Sequence, residues 1–458
     1  MSSSSSKQAP APASTALSWE HSSLSHLLSL AWPIVVSMIS YSTMTLVDTL
    51  FVGRIGPHAL AGVGLGGIYG FILICFPMGL LGAVKILVSQ AVGAGRPHRV
   101  AAFLGAGIWL GLGFGVVVVA LGFAMTLIFP LFSATVESGQ AASQYLAVRI
   151  LGAPAYFVRT AVEQARIGLG DSRSPMHVAV VANLSNVLFD YLFIIELDQG
   201  VQGAGAATAL SNLVGMVLML GLQRREGFGL RVACWKDARA VLRLGIPSGA
   251  QFGLEVGGYA AMVSIVTYIS EPDAAANQIA IQVLHFGFLP AMALGDAASV
   301  MAGQAVGAGR RDLVQQVAAR SLIPTILYAA LCSAVFLLGG RQIAAAFTND
   351  ARLIDLTVRL LVLAAIFQLA DGVNIVARCV LRGTGDVRFV AWAGIALTWA
   401  LTPPLTWFLG HDLGLGAVGG WLGLTAEVFI GAAAFWLRLR SNRWYSAADR
   451  SVAELHAG

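Results

Sequence analysis

The chain has 458 residues, 57% of them hydrophobic and only 11% charged. A soluble chain carries about one quarter charged residues, so neither a set of soluble domains nor a disordered chain fits. A polytopic helical membrane protein does, since twelve spans of roughly 20 apolar residues use about half the length. The net charge of +5 does not indicate nucleic acid, because the basic residues fall in short loops between apolar runs.

Residues 1–22 are rich in Ser, Ala and Pro and lack the apolar core of a signal peptide. They predict a disordered cytoplasmic tail. Apolar runs then predict spans at 25–52, 59–92, 101–130, 138–165, 176–197, 203–223, 240–270, 275–304, 317–340, 352–380, 387–410 and 415–438. Pro33, Pro77, Pro154, Pro247 and Pro290 are kink sites that neighbouring helices can accommodate. An N-terminal bundle of six spans (23–226), a C-terminal bundle of six (227–440) and a cytoplasmic tail (441–458) follow.

Basic residues recur after the even spans: Arg96 and Arg99; Arg166 and Arg173; Arg224 to Arg243; Arg310 and Arg311; Arg382 and Arg388; Arg438 to Arg443. The other loops are poor in Lys and Arg, Arg54 and Arg341 excepted, and several carry acids. By the positive-inside rule both termini are cytoplasmic and the protein is a multi-pass protein of the inner membrane. The chain also repeats. QAVGAGR at 90–96 recurs letter for letter at 304–310, and GLGD at 168–171 answers GTGD at 383–386. Two halves of equal orientation therefore derive from one unit, and internal repeats in transporters place the substrate site between them.

Ionisable residues inside spans are expensive and tend to be functional. Asp48 shares a helical stripe with Tyr41 and Thr45 in span 1, and Asn183, Asn186 and Asp190 form a stripe in span 5. Span 7 carries Gln251, Glu255 and Tyr259, and span 10 carries Gln368 and Asp371, with Arg378 two turns on as an available partner. Gln278, Gln282 and His285 form a span-8 stripe suited to lining a cavity or a helix contact. Lys85 is read as snorkelling from the cytoplasmic end of span 2.

Other motifs read as packing. Cys75, Cys234, Cys332 and Cys379 lack metal or CxxC spacing. GVGLGG at 62–67 has no preceding strand for a dinucleotide loop, and QAVGAGR lacks the Lys-Ser/Thr of a phosphate loop. No metalloprotease motif or nucleophile set supports an enzyme, and no cofactor is expected.

VDTLFVGRIG with ALAGVGLG, QAVGAGR after spans 2 and 8, and RGTGD after span 10 resemble the multidrug and toxic-compound extrusion (MATE) family of secondary transporters across nearly the whole chain after residue 25. The resemblance implies two six-helix bundles around a V-shaped cavity and efflux driven by proton or sodium influx. In the family's DinF-like branch the implied cation site maps onto Asp48, Asn186, Asp190 and Thr208, with Tyr145 beside it. In the NorM-like branch it maps onto Glu255 and Asp371, with Phe367 standing where that branch has Tyr. Both acid sets are present, so either coupling ion is compatible; the N-half set is the one favoured.

The expected function is thus a monomeric, cation-coupled antiporter. A carboxyl pair in a poorly solvated pocket is costly when charged and empty, and a proton or sodium ion relieves it. Small cationic or amphipathic organic compounds would leave through a cavity whose fixed charges are mostly acidic. The rivals are a flippase for lipid-linked precursors, for which Arg or Lys within the spans would be expected, a passive channel, and, from another class, a membrane-embedded biosynthetic enzyme.

Overall fold

A chain crossing hydrocarbon must satisfy its backbone internally, which for a run of apolar residues means a helix. The computed structural model describes residues 17–133, 135–225 and 234–456, and the segments that the sequence predicts as spans are helical there. The first half comprises α1 (Ser23–Gly53), α2 (Pro57–Gly93), α3 (Pro97–Thr126), the short α4 (Phe129–Phe132), α5 (Val136–Arg149), α6 (Ala153–Leu169), α7 (Arg173–Asp190) and α8 (Gly200–Arg225). The second comprises α9 (Trp235–Ile269), α10 (Glu271–Gly307), α11 (Arg311–Phe347), α12 (Ala351–Gly383), α13 (Val387–Leu405) and α14 (Ala417–Arg440), and α15 (Tyr445–His456) closes the chain.

Eleven of these helices are long and apolar enough to cross a membrane. The remaining predicted span, 138–165, is split into α5 and α6 by a 3-10 turn at Ile150–Gly152. Pro154 explains the break: it has no N–H to give, and its ring would press on the carbonyl one turn earlier. Pro33, Pro77, Pro247 and Pro290 instead lie inside continuous helices.

The repeat is visible in the backbone. Both QAVGAGR segments end a helix with the same left-handed glycine, Gly95 at φ +65° and Gly309 at φ +74°. Arg96 N–H then reaches back to Ala91 O (2.9 Å), and Arg310 N–H to Ala305 O (2.8 Å). This pattern stops a helix by satisfying its last carbonyls. The far ends of α7 and α13 match as well, each unwinding into a π turn, at Tyr191–Glu196 and Thr406–Asp412.

The halves meet where α2 packs on α9 and α10, and α1 on α10. At the end of this seam the two motifs press together. A Cβ on Gly93 would collide with Gln304 O, and one on Gly307 with Gln90 O, so only glycine permits the approach. The halves are therefore closed on the face that carries both described ends of the chain.

The N-terminal tail departs from expectation where it is described, and the C-terminal tail is packed against both halves. Residues 1–16 and 457–458 lie outside the described residues, as does the expected boundary between the halves at 226/227. Residues 17–22, assigned to a disordered tail, are packed: Trp19 is buried and its Nε1 donates to Gln304 Oε1 at 2.7 Å. The segment 441–456 contains α15, whose Ser451 Oγ donates to Gln90 Oε1 at 2.6 Å, while Gln90 Nε2 donates to Gly383 O at 3.0 Å. Arg96 and Arg99 cap the last carbonyls of α15, at Leu455 O (2.7 Å) and Glu454 O (2.8 Å). The first stretch is rich in Ser, Ala and Pro, yet Trp19 suffices to anchor it, and the apolar side of the twelve-residue α15 anchors the other end.

Candidate functional site

In the first half, Asp48 on α1 and Asp190 at the end of α7 interact directly through their carboxyl groups. No N–H or O–H of the described residues donates to Asp48 Oδ1 or to either oxygen of Asp190, all of them buried. The amide of Asn186, one turn before Asp190 and fully buried, likewise finds no partner for either of its polar atoms. Such groups are ordinarily hydrogen-bonded. Chemically, a pair of carboxyls with buried oxygens that lack donors can hold a shared proton or a small cation.

Tyr145 on α5 is buried beside the pair, packed with Val52 and Ile194 in a small apolar cluster. Tyr41, exposed on α1, belongs to the same electrostatic neighbourhood. Asn183 ties α7 to α1 by donating to Ser40 Oγ at 2.8 Å, which fixes the helix carrying Asp190 against the one carrying Asp48. Thr208 is half-buried on α8 and spends its hydroxyl on Ala204 O of its own helix (3.1 Å).

Sequence reasoning missed a cation here. Arg149, at the last turn of α5, lies 5.5 Å from the centroid of the Tyr145 ring and interacts with Asp48. Its spacing of four from Tyr145 was the available signal, since a helix places such pairs on one face.

In the second half, Glu255 on α9 is held by Arg378 on α12, whose Nη1 lies 3.1 Å from both carboxylate oxygens. Gln251, fully buried, donates to Glu255 Oε1 at 2.7 Å and accepts from Arg382 Nη2 at 2.8 Å. Arg378, offered by the sequence as a partner for Asp371, thus pairs with Glu255 instead. Asp371 is buried within electrostatic reach of Arg378, Glu255 and Glu427. Glu427 on α14 is a second omission: it accepts from Thr398 Oγ1 at 2.5 Å and from Thr402 Oγ1. Phe367 sets its ring edge-on to Trp421, with centroids 6.3 Å apart. Gln368 is fully buried and donates to Gly287 O at 2.9 Å.

Gln278, Gln282 and His285 are exposed along α10. Lys85 is not a snorkelling residue: it is buried, and its Nζ meets Asp296 Oδ1 of α10 at 2.5 Å, across the two halves. The expectation of a mainly acidic interior also needs revision. Lys85, Arg149, Arg159, Arg378 and Arg382 all sit within the spans, each facing an acid. Arg382 in particular is not a solvated loop charge; it belongs to the last turn of α12 and turns inward to Gln251. A side cleft of about 550 Å³ opens between α1, α10 and α11, lined by Leu28, Trp32, Val35, Pro290, Leu294 and Tyr328.

A two-lobed bundle of membrane-crossing helices, built from a repeated unit and carrying ionisable clusters inside each half, is the architecture of a membrane transporter. The chain belongs to the MatE family, whose sequence model matches residues 33–192 and again 247–408. It is a multi-pass membrane transporter and not an enzyme. Among its relatives, the probable multidrug resistance protein NorM of Bradyrhizobium diazoefficiens is 30% identical over 433 residues, covering 90% of this chain and 92% of that one. The protein of the same description from Pasteurella multocida is 28% identical over 431 residues, covering 90% and 93%. The crystal structure described as MATE in the bent conformation superposes with a TM-score of 0.86 at 21% identity, covering 93% of this chain and 96% of that one.

Proposed function

We propose that the protein exports cationic or amphipathic organic compounds across the cytoplasmic membrane in exchange for a proton or a sodium ion, with the face that carries both chain ends in the cytoplasm. The observation that carries this reading is the pair Asp48 and Asp190, brought together from α1 and α7 with no donor among the described residues to Asp48 Oδ1 or to either Asp190 oxygen. With both carboxyls ionised and Arg149 beside them, the cluster holds one uncompensated negative charge. One monovalent cation neutralises it, which supports exchange of a single coupling ion at this site.

The second acid set supports coupling less well. Glu255 is already neutralised by Arg378, so a cation there must displace or share a guanidinium. The Arg-rich helix ends gather on the face that holds α15, where Arg243 meets Glu454 at 2.7 Å, Arg311 pairs with Asp449, and Arg310 meets Glu20 at 2.8 Å. That clustering supports the cytoplasmic assignment. Drug resistance in the names of the relatives, and a remaining excess of interior acids over bases, support organic cations as cargo.

The test is uptake of ethidium into everted membrane vesicles under an imposed proton or sodium gradient, with Asp48→Asn and Asp190→Asn variants inserted at parental levels. Loss of gradient-driven uptake in both variants, with Glu255→Gln retaining a share, is expected. Parental uptake by the Asp190→Asn variant would overturn the reading.

A further inference from the structure

Lys85 and Asp296 join the halves well inside the spans. Lys85 stands about two turns before the end of α2 and Asp296 about three before the end of α10. Their side chains are 9% and 22% exposed. The contact lies on the closed side of the seam, toward the collision of Gly93 with Gln304. Any carrier must open its interior to each side in turn, so the halves must part along this seam. Parting strands an ammonium on α2 and a carboxylate on α10 in apolar surroundings, a heavy penalty for a charge left unpaired.

Each charge lies within electrostatic reach of a second, opposite charge in its own half. Glu163 on α6, in the half that holds Lys85, interacts with Lys85, Asp296 and Arg159. Arg382 on α12, in the half that holds Asp296, interacts with Asp296, Glu255 and Arg378. Arg382 is also under-used: its Nη2 serves Gln251, but its buried Nε has no acceptor.

We propose that Lys85, Asp296, Glu163 and Arg382 form a gate that works by exchange of partners. With the halves together, Lys85 holds Asp296 across the seam. With the halves apart, Lys85 turns to Glu163 and Asp296 turns to Arg382. Neither charge is stranded in either state, so the seam is specific when shut and does not trap the carrier there. These are positioning residues for the transport cycle. The inference rests on the chain being a carrier and not on coupling at Asp48 and Asp190.

The experiment uses the full-length protein in lipid nanodiscs with its cysteines replaced, and nitroxides on Arg173→Cys and Gln316→Cys. These exposed positions lie at the starts of α7 and α11, one on each half. Pulsed electron resonance then reads the ratio of separated to closed halves. Asp296→Asn and Lys85→Met should each raise that ratio roughly tenfold, and Glu163→Gln should lower it. In the Lys85→Met background Glu163→Gln should do nothing further. The doubly reversed Lys85→Asp/Asp296→Lys protein should regain the closed distance yet export less than the parent, because each reversed charge meets its own kind when the halves part.

A merely structural role for these residues predicts losses in one direction only. An unchanged distance distribution in both Asp296→Asn and Lys85→Met, or a Glu163→Gln shift in their direction, overturns the proposal. If one of the first two fails to insert, the other reads the same limb of the cycle. Repeating the set in an Asp48→Asn background keeps this outcome separate from failure of the coupling reading.

Discussion

Arg378 and Glu255 meet at 3.1 Å between α12 and α9, while the nearby Asp371 receives no such contact from that guanidinium. The two acids that the sequence grouped as one cation site therefore do different work. Glu255→Gln strands a buried guanidinium and should lower stability by about 1–2 kcal/mol, the pair being partly exposed. Asp371→Asn removes no ion pair and should change stability less. Thermal unfolding of the purified variants in one detergent checks the order, and Glu255→Gln with Arg378→Met should recover part of the loss.

Arg149 stands beside Asp48 as a tethered counter-charge. Its replacement by Gln leaves the carboxyl pair with a further unit of negative charge. The coupling cation should then bind more tightly, on the order of tenfold for about 1.4 kcal/mol, and leave more slowly. Efflux measured against cation concentration should show half-saturation at a lower concentration together with a lower maximal rate. A raised half-saturation would assign Arg149 to substrate instead.

Two adjacent residues near the N-terminus should separate by size of effect. Trp19 is buried and hydrogen-bonded to Gln304, so Trp19→Ala should cost about 3–5 kcal/mol. Glu20 pairs with Arg310 near the surface, both about one quarter exposed, so Glu20→Gln should cost less than about 1 kcal/mol. Denaturation of the two variants side by side measures the difference.

The helix α15 bridges both halves on the closed face. Leu455 is fully buried in the core of the first half, and Trp444 and Ala448 in that of the second. Leu455→Ala should destabilise by about 2–5 kcal/mol. It should also speed proteolysis at the C-terminus, because the anchor holding α15 on α2 and α3 is lost. Limited trypsin digestion followed by mass spectrometry detects the released segment.

Spans, loops and repeat were legible in the chain because each is a local property. Apolar length marks a crossing, clustered arginines mark one side, and QAVGAGR is a helix stop wherever it occurs. Asp48 and Asp190 stood out because a carboxylate in an apolar run is conspicuous by itself. Arg149, Arg159 and Glu163 were overlooked because they lie in the most polar span, the one broken at Ile150–Gly152, where a charge does not contrast with its neighbours. Glu427 stands in an apolar run of α14 and is as conspicuous as Asp48 on that ground; only its partners, the hydroxyls of Thr398 and Thr402 on α13, needed the tertiary structure.

By itself, then, the sequence marked the runs long and apolar enough to cross, the doubling of the unit, and the acids Asp48, Asp190, Glu255 and Asp371 within those runs. These follow from composition along one helix. Which charge answers which was decided only by tertiary structure. Lys85 finds Asp296 211 residues away, and Arg378 reaches Glu255 rather than its near neighbour Asp371. Such pairings depend on the depth and rotation of helices packed against each other, and those quantities are set by the whole bundle and not by any single stretch of it.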